Sequence, residues 1–340
     1  MSIDIAIDFG SSKTVIYGNS RIILEEPTVV TVDAETFEPV YFGTDAKETL
    51  GRTPDTLSCV HPIERGAIAD YDTAQAMLTH YMLRAFGNKI IRPKVIVNLP
   101  TGLTELQHRF MCKVIEESGG RSVKVIETPI ALAFGVGVDF KQPKGTMIVD
   151  IGAGVTDVAS ISLGGIVQCD TFSVASQDFD DAIIKYVRRT FNIEIGPLTA
   201  EAIKKQVGTV INRPVEITMI AKGRNILTGL PESFEISSAQ LYETLFDTAV
   251  LICNNVRKVI EKTDPDIVSD IMENGIHLTG GGSQINGMVQ FMEEFIGAKI
   301  LPAPDPAHTA IKGSAYAIKH PNMLKGFKYQ IRSIKDLIIE

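Results

Sequence analysis

"VDIGAGVTDV", residues Val149–Val158, sets a carboxylate, Asp150, at the end of an apolar β-type run (Met147, Ile148, Val149) and follows it with Gly152, Gly154, Thr156 and Asp157. A carboxylate inside a buried strand is costly unless it is paired or coordinates something. The same order of residues opens the chain as "IAIDFGSSKTVIYG", Ile5–Gly18, with Asp8 in the place of Asp150 and Gly10-Ser11-Ser12 in the place of Gly152-Ala153-Gly154. One copy alone reads as a tight hairpin. Two copies at matched positions point to a shared ligand.

Each copy also begins a longer repeat. Residues 3–8, 13–17 and 21–25 run or alternate apolar, with turn signals at Gly10 and Gly18-Asn19. Residues 146–150, 155–162 and 166–173 do the same, with turns at Gly152-Ala153-Gly154 and Gly164-Gly165. Both predict three-stranded meanders. Amphipathic helices follow near Thr73–Phe86 and near Phe179–Phe191; in the second, Ile183, Ile184, Val187 and Phe191 fall at helical spacing. "KVIVNLPTG" then predicts a strand and turn, with a helix from Thr104 to about Ser118 closed by Gly119-Gly120. "VKVIETPIALAFG" adds a strand and a helix. In the second half "NGIHLTGGG", "INGMVQFMEEFIG", "AKILPAPD" and "AHTAIKGSAYAIK" give strand, helix, strand and helix in turn. The expected fold class is therefore α/β, a duplicated domain with about five strands in each sheet. Two stretches stand outside the repeat as insertions, roughly Thr31–Arg65 and Gly208–Ser238. The twin turns would face each other between the halves, at strand ends, where α/β sheets bind ligands.

The chain has 340 residues, 44% hydrophobic and 22% charged, with a net charge of -8. That length suggests two domains, and the acidic balance argues against nucleic acid as the main partner. Cys59, Cys112, Cys169 and Cys253 are scattered without a C-x-x-C pair, so neither a disulfide framework nor a zinc site is expected. They suit a reducing cytoplasm. Asp4 and Asp8 near the start do not suit a signal peptide. No run of ~18 uncharged apolar residues suggests a transmembrane helix.

The amides of Gly10, Ser11 and Ser12 and of Gly152, Ala153 and Gly154 can form anion-binding nests that converge on one anion. Asp8 and Asp150 then approach the same point. Two carboxylates beside a polyphosphate are reasonable only with a cation between them, and Mg²⁺ held through waters is the usual solution. "TGGGSQINGM" supplies a third glycine turn, Gly280-Gly281-Gly282-Ser283. It is either a close strand-to-helix connection or a bare backbone on which a flat base lies. "TAEAIKK" puts Glu201 and Lys204 at i, i+3 on one helical face. They form either a surface ion pair or a carboxylate and an ammonium for ribose hydroxyls.

These segments, in this order, resemble the actin superfamily and, within it, the bacterial actin (MreB) family. The resemblance runs from about Ile3 to Ala317 and includes "EEPTVV", "LGRTP", "GAIADYD", "VIVNLPTGLT", "ISLGGIV", "DAIIKYVRRTFNIEIG", "LTAEAIK", "TGLPESFEIS", "SDIMENGIHLTGGGSQINGM" and "IKGSAYAI". It implies duplicated actin-like (ribonuclease H-like) domains with two small inserted subdomains around a nucleotide cleft. The expected division is subdomain IA at 1–31, 66–139 and 309–320; IB at 32–65; IIA at 140–207 and 239–308; IIB at 208–238; and a C-terminal tail at 321–340. The resemblance further implies ATP (or ADP) with Mg²⁺, and self-assembly into double protofilaments. These would lie on the inner, anionic face of the plasma membrane, where the family organises cell-wall synthesis and rod shape. Paralogous MreB-type proteins and cell-wall or membrane morphogenesis proteins are the further candidate partners.

Two departures from the family pattern bear on chemistry. The family's Glu-Glu-Pro is here Glu127-Thr128-Pro129, so Thr128 stands where a carboxylate is expected to position the attacking water. In the second phosphate loop Val155 stands where the first of two threonines is usual, and Ala153 replaces the middle glycine. In-line attack on a γ-phosphate depends on positioning and electrostatics. Glu127 is a poor substitute, because neighbours on an extended segment point to opposite faces. ATP binding with slow or absent hydrolysis is expected. Lys13 is a third departure, standing where the family has Asn; it either points to solvent or touches phosphate directly.

"GNKIIRPK" places Ile90-Ile91 between Lys89 and Arg92. They either tuck into the domain or, as in the family, enter the bilayer, where basic flanks suit anionic lipid. In the tail, Leu324, Phe327, Ile331, Ile334 and Ile338 recur at helical spacing, with Lys325, Lys328, Arg332 and Lys335 elsewhere on the wheel. That predicts a basic amphipathic helix, lying on lipid, on its own protein or on a filament neighbour. The alternative function is a small-molecule kinase of the same superfamily, which needs a carboxylate base aimed at a substrate hydroxyl; the best cleft candidate here is a threonine. A chaperone ATPase would need a peptide-binding domain after Lys319.

Overall fold

The two meanders form as their alternation dictates, and each grows a parallel wing. The computed structural model describes residues 4–87, 92–140, 142–320 and the pair 332–333. In the first half β1 (Asp4–Phe9), β2 (Lys13–Gly18) and β3 (Arg21–Pro27) pair antiparallel. A small insertion follows: β4 (Val30–Asp33), β5 (Pro39–Phe42), α1 (Gly43–Thr49) and β6 (Leu57–Val60), its three strands in the order β5-β4-β6. The hairpin β7 (Ile63–Glu64) and β8 (Ala67–Ile68) leads to α2 (Tyr71–Phe86). Then come β9 (Lys94–Leu99), α3 (Glu105–Glu117), β10 (Ser122–Glu127) and α4 (Thr128–Val136). Strands β9 and β10 join the sheet parallel to β1.

The second half repeats the plan. Strands β11 (Thr146–Ile151), β12 (Thr156–Ser162) and β13 (Gly165–Phe172) make the meander, and α5 (Ser176–Phe191) follows. The second small sheet is built from β14 (Ile193–Glu194), β15 (Thr218–Asn225) and β16 (Pro231–Ser237), with α6 (Pro197–Val207) between the first two. Because β14 pairs with β15, this sheet begins upstream of Gly208. Helices α7 (Ser238–Lys262) and α8 (Pro265–Asn274) lead to β17 (Ile276–Thr279), a 3-10 turn at Gly281–Gln284, α9 (Met288–Ile296) and β18 (Ile300–Pro302). A second 3-10 turn, Pro306–His308, precedes α10 (Thr309–Lys319). The large sheets read β3-β2-β1-β9-β10 and β13-β12-β11-β17-β18. Two sheets of identical order and strand sense are the signature of the duplication.

Each sheet has its own core. Ile5, Ile7 and Ile16 pack with Met77, Leu78 and Tyr81 of α2 and with Met111, Cys112 and Ile115 of α3. Met147, Val149, Ile151 and Val158 pack with Phe179, Ile183 and Val187 of α5 and with residues of α7 and α9. A third cluster, centred on α4 and α10, takes Ile96 and Ile126 from one sheet and Ile148 and Ile161 from the other. That shared layer couples the halves.

Helices α4 and α10 touch backbone to backbone at two glycines. A Cβ added at Gly313 would fall 1.6 Å from the Ala131 carbonyl oxygen, and one at Gly135 would fall 2.3 Å from that of Thr309. Gly313→Ala is therefore expected to cost about 3 kcal/mol of stability in a chemical denaturation series, at the upper end of overpacking penalties. Gly196→Ala, where added bulk meets nothing within 4 Å, should change little.

The expected tail helix needs correction. Arg332 and Ser333 form a short strand, β19, paired antiparallel with Val125 and Lys124 of β10. Strand β10 is otherwise the edge of its sheet, and unpaired edge amides and carbonyls recruit an extended segment. The rest of the tail beyond His320, and Ile90-Ile91, lie outside the described residues. Among the described residues no helix is long and apolar enough to cross a membrane.

Candidate functional site

The twin turns close in the same way. Asp8 pairs with Val15 and Asp150 with Asp157 across their hairpins. The Gly10 amide donates to the Lys13 carbonyl at 3.1 Å, and the Gly152 amide to that of Val155 at 2.9 Å. This corrects the expected nest: a tight hairpin uses its first amide to close itself, so Gly10 and Gly152 contribute shape and not donors. The amides of Ser11, Ser12, Ala153 and Gly154 have no hydrogen bond among the described residues.

The turns meet. A Cβ on Gly154 would stand 3.0 Å from Ser11 Oγ, so neither loop has room for bulk where they face. They open onto one cavity of about 1020 Å³ between the halves. Asp8, Gly10, Ser11, Ser12, Lys13, Thr128, Asp150, Gly152, Ala153, Gly154, Val155, Glu201, Lys204, Gly280, Gly281 and Gly282 all line it. Two of the expected residues do not. Ser283 is turned back, its hydroxyl donating to the Gly280 carbonyl at 2.7 Å. Glu127 sits at the N-cap of α4 and is absent from the lining, while the buried Thr128 beside it is present.

Both strand carboxylates are half-buried and poorly solvated. Burial raises the Asp8 carboxyl, partly offset by a hydrogen bond from Asn98 Nδ2 at 3.2 Å. Burial lifts Asp150 to about 6; a 2.6 Å bond from Thr279 Oγ1 opposes this and repulsion from Asp8 adds to it. The repulsion from Asp8 on Asp150 brings the two carboxylates within electrostatic reach across the cleft.

Asp157, part of the opening motif but not singled out as a site residue, also lines the cavity. It is 4% exposed. Burial pushes it up to about 7, against a hydrogen bond from Thr171 Oγ1 and with repulsion from Asp150. Folded Asp157 holds its proton more tightly than the unfolded chain does. Its contribution to stability is thus complete below its ordinary value of 3.8 and lost as the pH rises through about 7. In the nucleotide-free protein Asp157→Asn should therefore stabilise by roughly 2 kcal/mol more at pH 8 than at pH 5. Thermal melts at the two values check the sign; equal effects at both would contradict it.

Of the two readings of Glu201 and Lys204, the ion pair between them does not form. Lys204 Nζ bonds Asp180 Oδ2 at 2.7 Å and Ser176 Oγ at 2.9 Å. Glu201 instead takes Lys205 at 2.7 Å and, across the cleft mouth, Lys47 of α1 at 2.9 Å. Burial alone would raise Glu201, but the hydrogen bonds from these two lysines outweigh it and bring it down to about 2. One turn of helix aims i and i+3 near each other, yet Lys204 turns to α5, and Glu201 takes Lys205 at i+4 on its own helix and Lys47 of α1. Lys13 is neither free in solvent nor turned into the cavity alone: Nζ pairs with Glu25 at 2.6 Å and lies 3.0 Å from His308 Nε2.

Asn98 belongs to the site as well. It is 7% exposed and lines the cavity beside Asp8, its Oδ1 without a hydrogen-bond partner. The sequence signal was there, a polar residue inside the apolar run "KVIVNLP". The donor set as a whole is hard oxygen: two carboxylates, one from each half, and an amide oxygen. Among the described residues no three His, Cys, Asp or Glu are grouped to cage a metal. Such a set fits Mg²⁺ held by one or two carboxylates jointly with waters and phosphate oxygens.

A profile of the MreB/Mbl protein family matches residues 2–326. The chain is 33% identical over 326 residues to the cell shape-determining protein Mbl of Bacillus cereus, covering 94% of this chain and 97% of that one. It is 34% identical over 330 residues to the cell shape-determining protein MreB of Escherichia coli K12, covering 95% of each. Among solved structures, MreB 5 of Spiroplasma citri bound to AMPPNP superimposes with a TM-score of 0.90 at 32% identity, covering 95% of this chain and 98% of that one. A chain of the MamK double helical filament superimposes with a TM-score of 0.79 at 18% identity, covering 94% and 99%, a likeness of fold.

Proposed function

Since the chain belongs to the MreB/Mbl family and has the actin-like fold, we propose that it binds ATP with Mg²⁺ between its twin hairpin turns and assembles into filaments. The observation that carries this is the meeting of the two acidic turns on one cavity, with unused amides from Ser11, Ser12, Ala153 and Gly154 at the same place. The MreB5 structures of Spiroplasma citri with AMPPNP and with ADP support a nucleotide as the ligand. Asp8 and Asp150 would hold the metal, which when bound offsets the charge of the phosphates. The glycine turn at Gly280–Gly282 offers a bare surface for the base. A four-part division into IA, IB, IIA and IIB is proposed with it, supported by the two small sheets inserted into the duplicated halves.

Assembly is proposed as double protofilaments on the inner face of the plasma membrane, serving cell shape. Hydrolysis is proposed to be slow, because Thr128 brings a hydroxyl where a carboxylate would orient water. Sedimentation of the purified protein with and without ATP-Mg²⁺, on and off anionic liposomes, tests this. Nucleotide-dependent pelleting, enhanced by lipid, is the expected result. A soluble monomer that releases phosphate only with an added sugar would overturn the filament assignment in favour of a kinase.

A further inference from the structure

The turn between β7 and β8, Arg65-Gly66, holds both phosphate-type loops at once. Both residues have left-handed backbone, φ 49° and 79°, a conformation that costs energy for a non-glycine side chain. From there the Gly66 amide donates to Ser11 Oγ of the first loop at 3.1 Å. Arg65 Nη1 donates to the Gly154 carbonyl of the second loop at 3.3 Å, to Asp178 Oδ2 at 3.2 Å and to the Ser173 carbonyl. The backbone of Arg65 is equally close, 3.2 Å from where a Cβ on Gly154 would be.

The consequence lies in which way the second loop's peptides face. The first turn of α5 holds two of its carbonyls: Ser176 N donates to Gly152 O at 3.1 Å, and Gln177 N to Ala153 O at 2.9 Å. Arg65 holds the third, Gly154 O. In a planar trans peptide the carbonyl and the next residue's N–H point in opposite directions. Anchoring the three oxygens therefore turns the amides of Ala153, Gly154 and Val155 the other way. Two of the three anchors are helical amides; the last is a side chain from the opposite half of the molecule.

We propose that Arg65 is a positioning residue of the phosphate site: by holding Gly154 O it aims the Val155 amide at a bound phosphate. It does so only when the two halves are closed enough for the turn to reach both loops. The proposal rests on the nucleotide assignment above and names a donor, Val155 N–H, that the sequence pattern does not reveal.

The test compares Arg65→Ala and Arg65→Lys with the unaltered chain, measuring affinity for ATP-Mg²⁺ and for adenosine by competition against a fluorescent ATP analogue. Arg65→Ala should weaken ATP about tenfold, the scale of one hydrogen bond to a charged group, and leave adenosine unchanged. Arg65→Lys, which keeps the charge but reaches fewer acceptors, should fall between. Arg224→Ala, which removes an exposed ion pair with Glu194, should match the unaltered protein. Equal losses for ATP and adenosine would mean a merely structural role and overturn the proposal, as would undiminished ATP affinity. Should the unaltered chain bind no ATP at all, the nucleotide assignment itself fails and this proposal with it.

Discussion

Asp150→Asn is expected to weaken ATP-Mg²⁺ binding by roughly 10- to 100-fold, the loss usual when a group that orients a metal's shell is removed. In EDTA the same substitution should strengthen ATP binding several-fold. The two signs follow from one charge. With the cation present, Asp150 is an attractive partner; without it, a carboxylate lifted to about 6 by burial and by Asp8 only repels the polyphosphate. The asparagine keeps the volume and can still accept the hydrogen bond from Thr279 Oγ1, so packing is not the variable. Asp8→Asn should behave alike, since Asp8 is likewise raised by burial and likewise accepts one side-chain hydrogen bond, from Asn98. Titration of a fluorescent nucleotide with either cation condition reads both signs. Loss of binding in EDTA as well would mean that the carboxylates support the fold and not the metal.

Thr128→Glu should raise the rate of phosphate release by about 100-fold, the lower range of what a general base contributes. The side chain stands at the start of α4, 4% exposed and on the cavity wall, so a longer acid there would bring a carboxylate to the cavity proposed to hold the nucleotide. Val155→Thr alone should do less, since it adds a hydroxyl and no base; the pair together should exceed either. Asp157 is the competing candidate for the base, as it lines the same cavity with its carboxyl pushed up to about 7. If the unaltered protein already turns over rapidly and Asp157→Asn abolishes this, the substitution at 128 has been compensated. A single-turnover assay of all four variants separates the two outcomes.

The duplication was legible because it is written in local pattern. Apolar alternation and glycine turns predicted both meanders and about five strands per sheet; the strand orders β3-β2-β1-β9-β10 and β13-β12-β11-β17-β18 came from the structure. Asp8 and Asp150 stood out because a charge inside an apolar run needs a reason, and Asn98 carried the same signal more quietly. What the sequence hid is long-range. Nothing in "TAEAIKK" says that Lys204 prefers Asp180, or that Glu201 reaches across to Lys47. Nothing in "SSK" says that Lys13 finds Glu25. The closing role of the Gly10 and Gly152 amides is hidden as well, because it depends on hairpin geometry and not on residue type. The tail periodicity suggested a helix, yet Arg332-Ser333 pairs with an exposed sheet edge, where a neighbour outweighs local propensity.

The central claim is that the two acidic turns bind one metal-bearing polyphosphate between them. Crystals grown with AMPPNP and Mn²⁺, examined for the anomalous signal of the metal, test it most directly. One manganese peak within water-mediated reach of both Asp8 and Asp150, with phosphate oxygens at the amides of Ser11, Ser12, Ala153 and Gly154, is the predicted result. A nucleotide bound elsewhere, or a metal that approaches neither carboxylate, would contradict it.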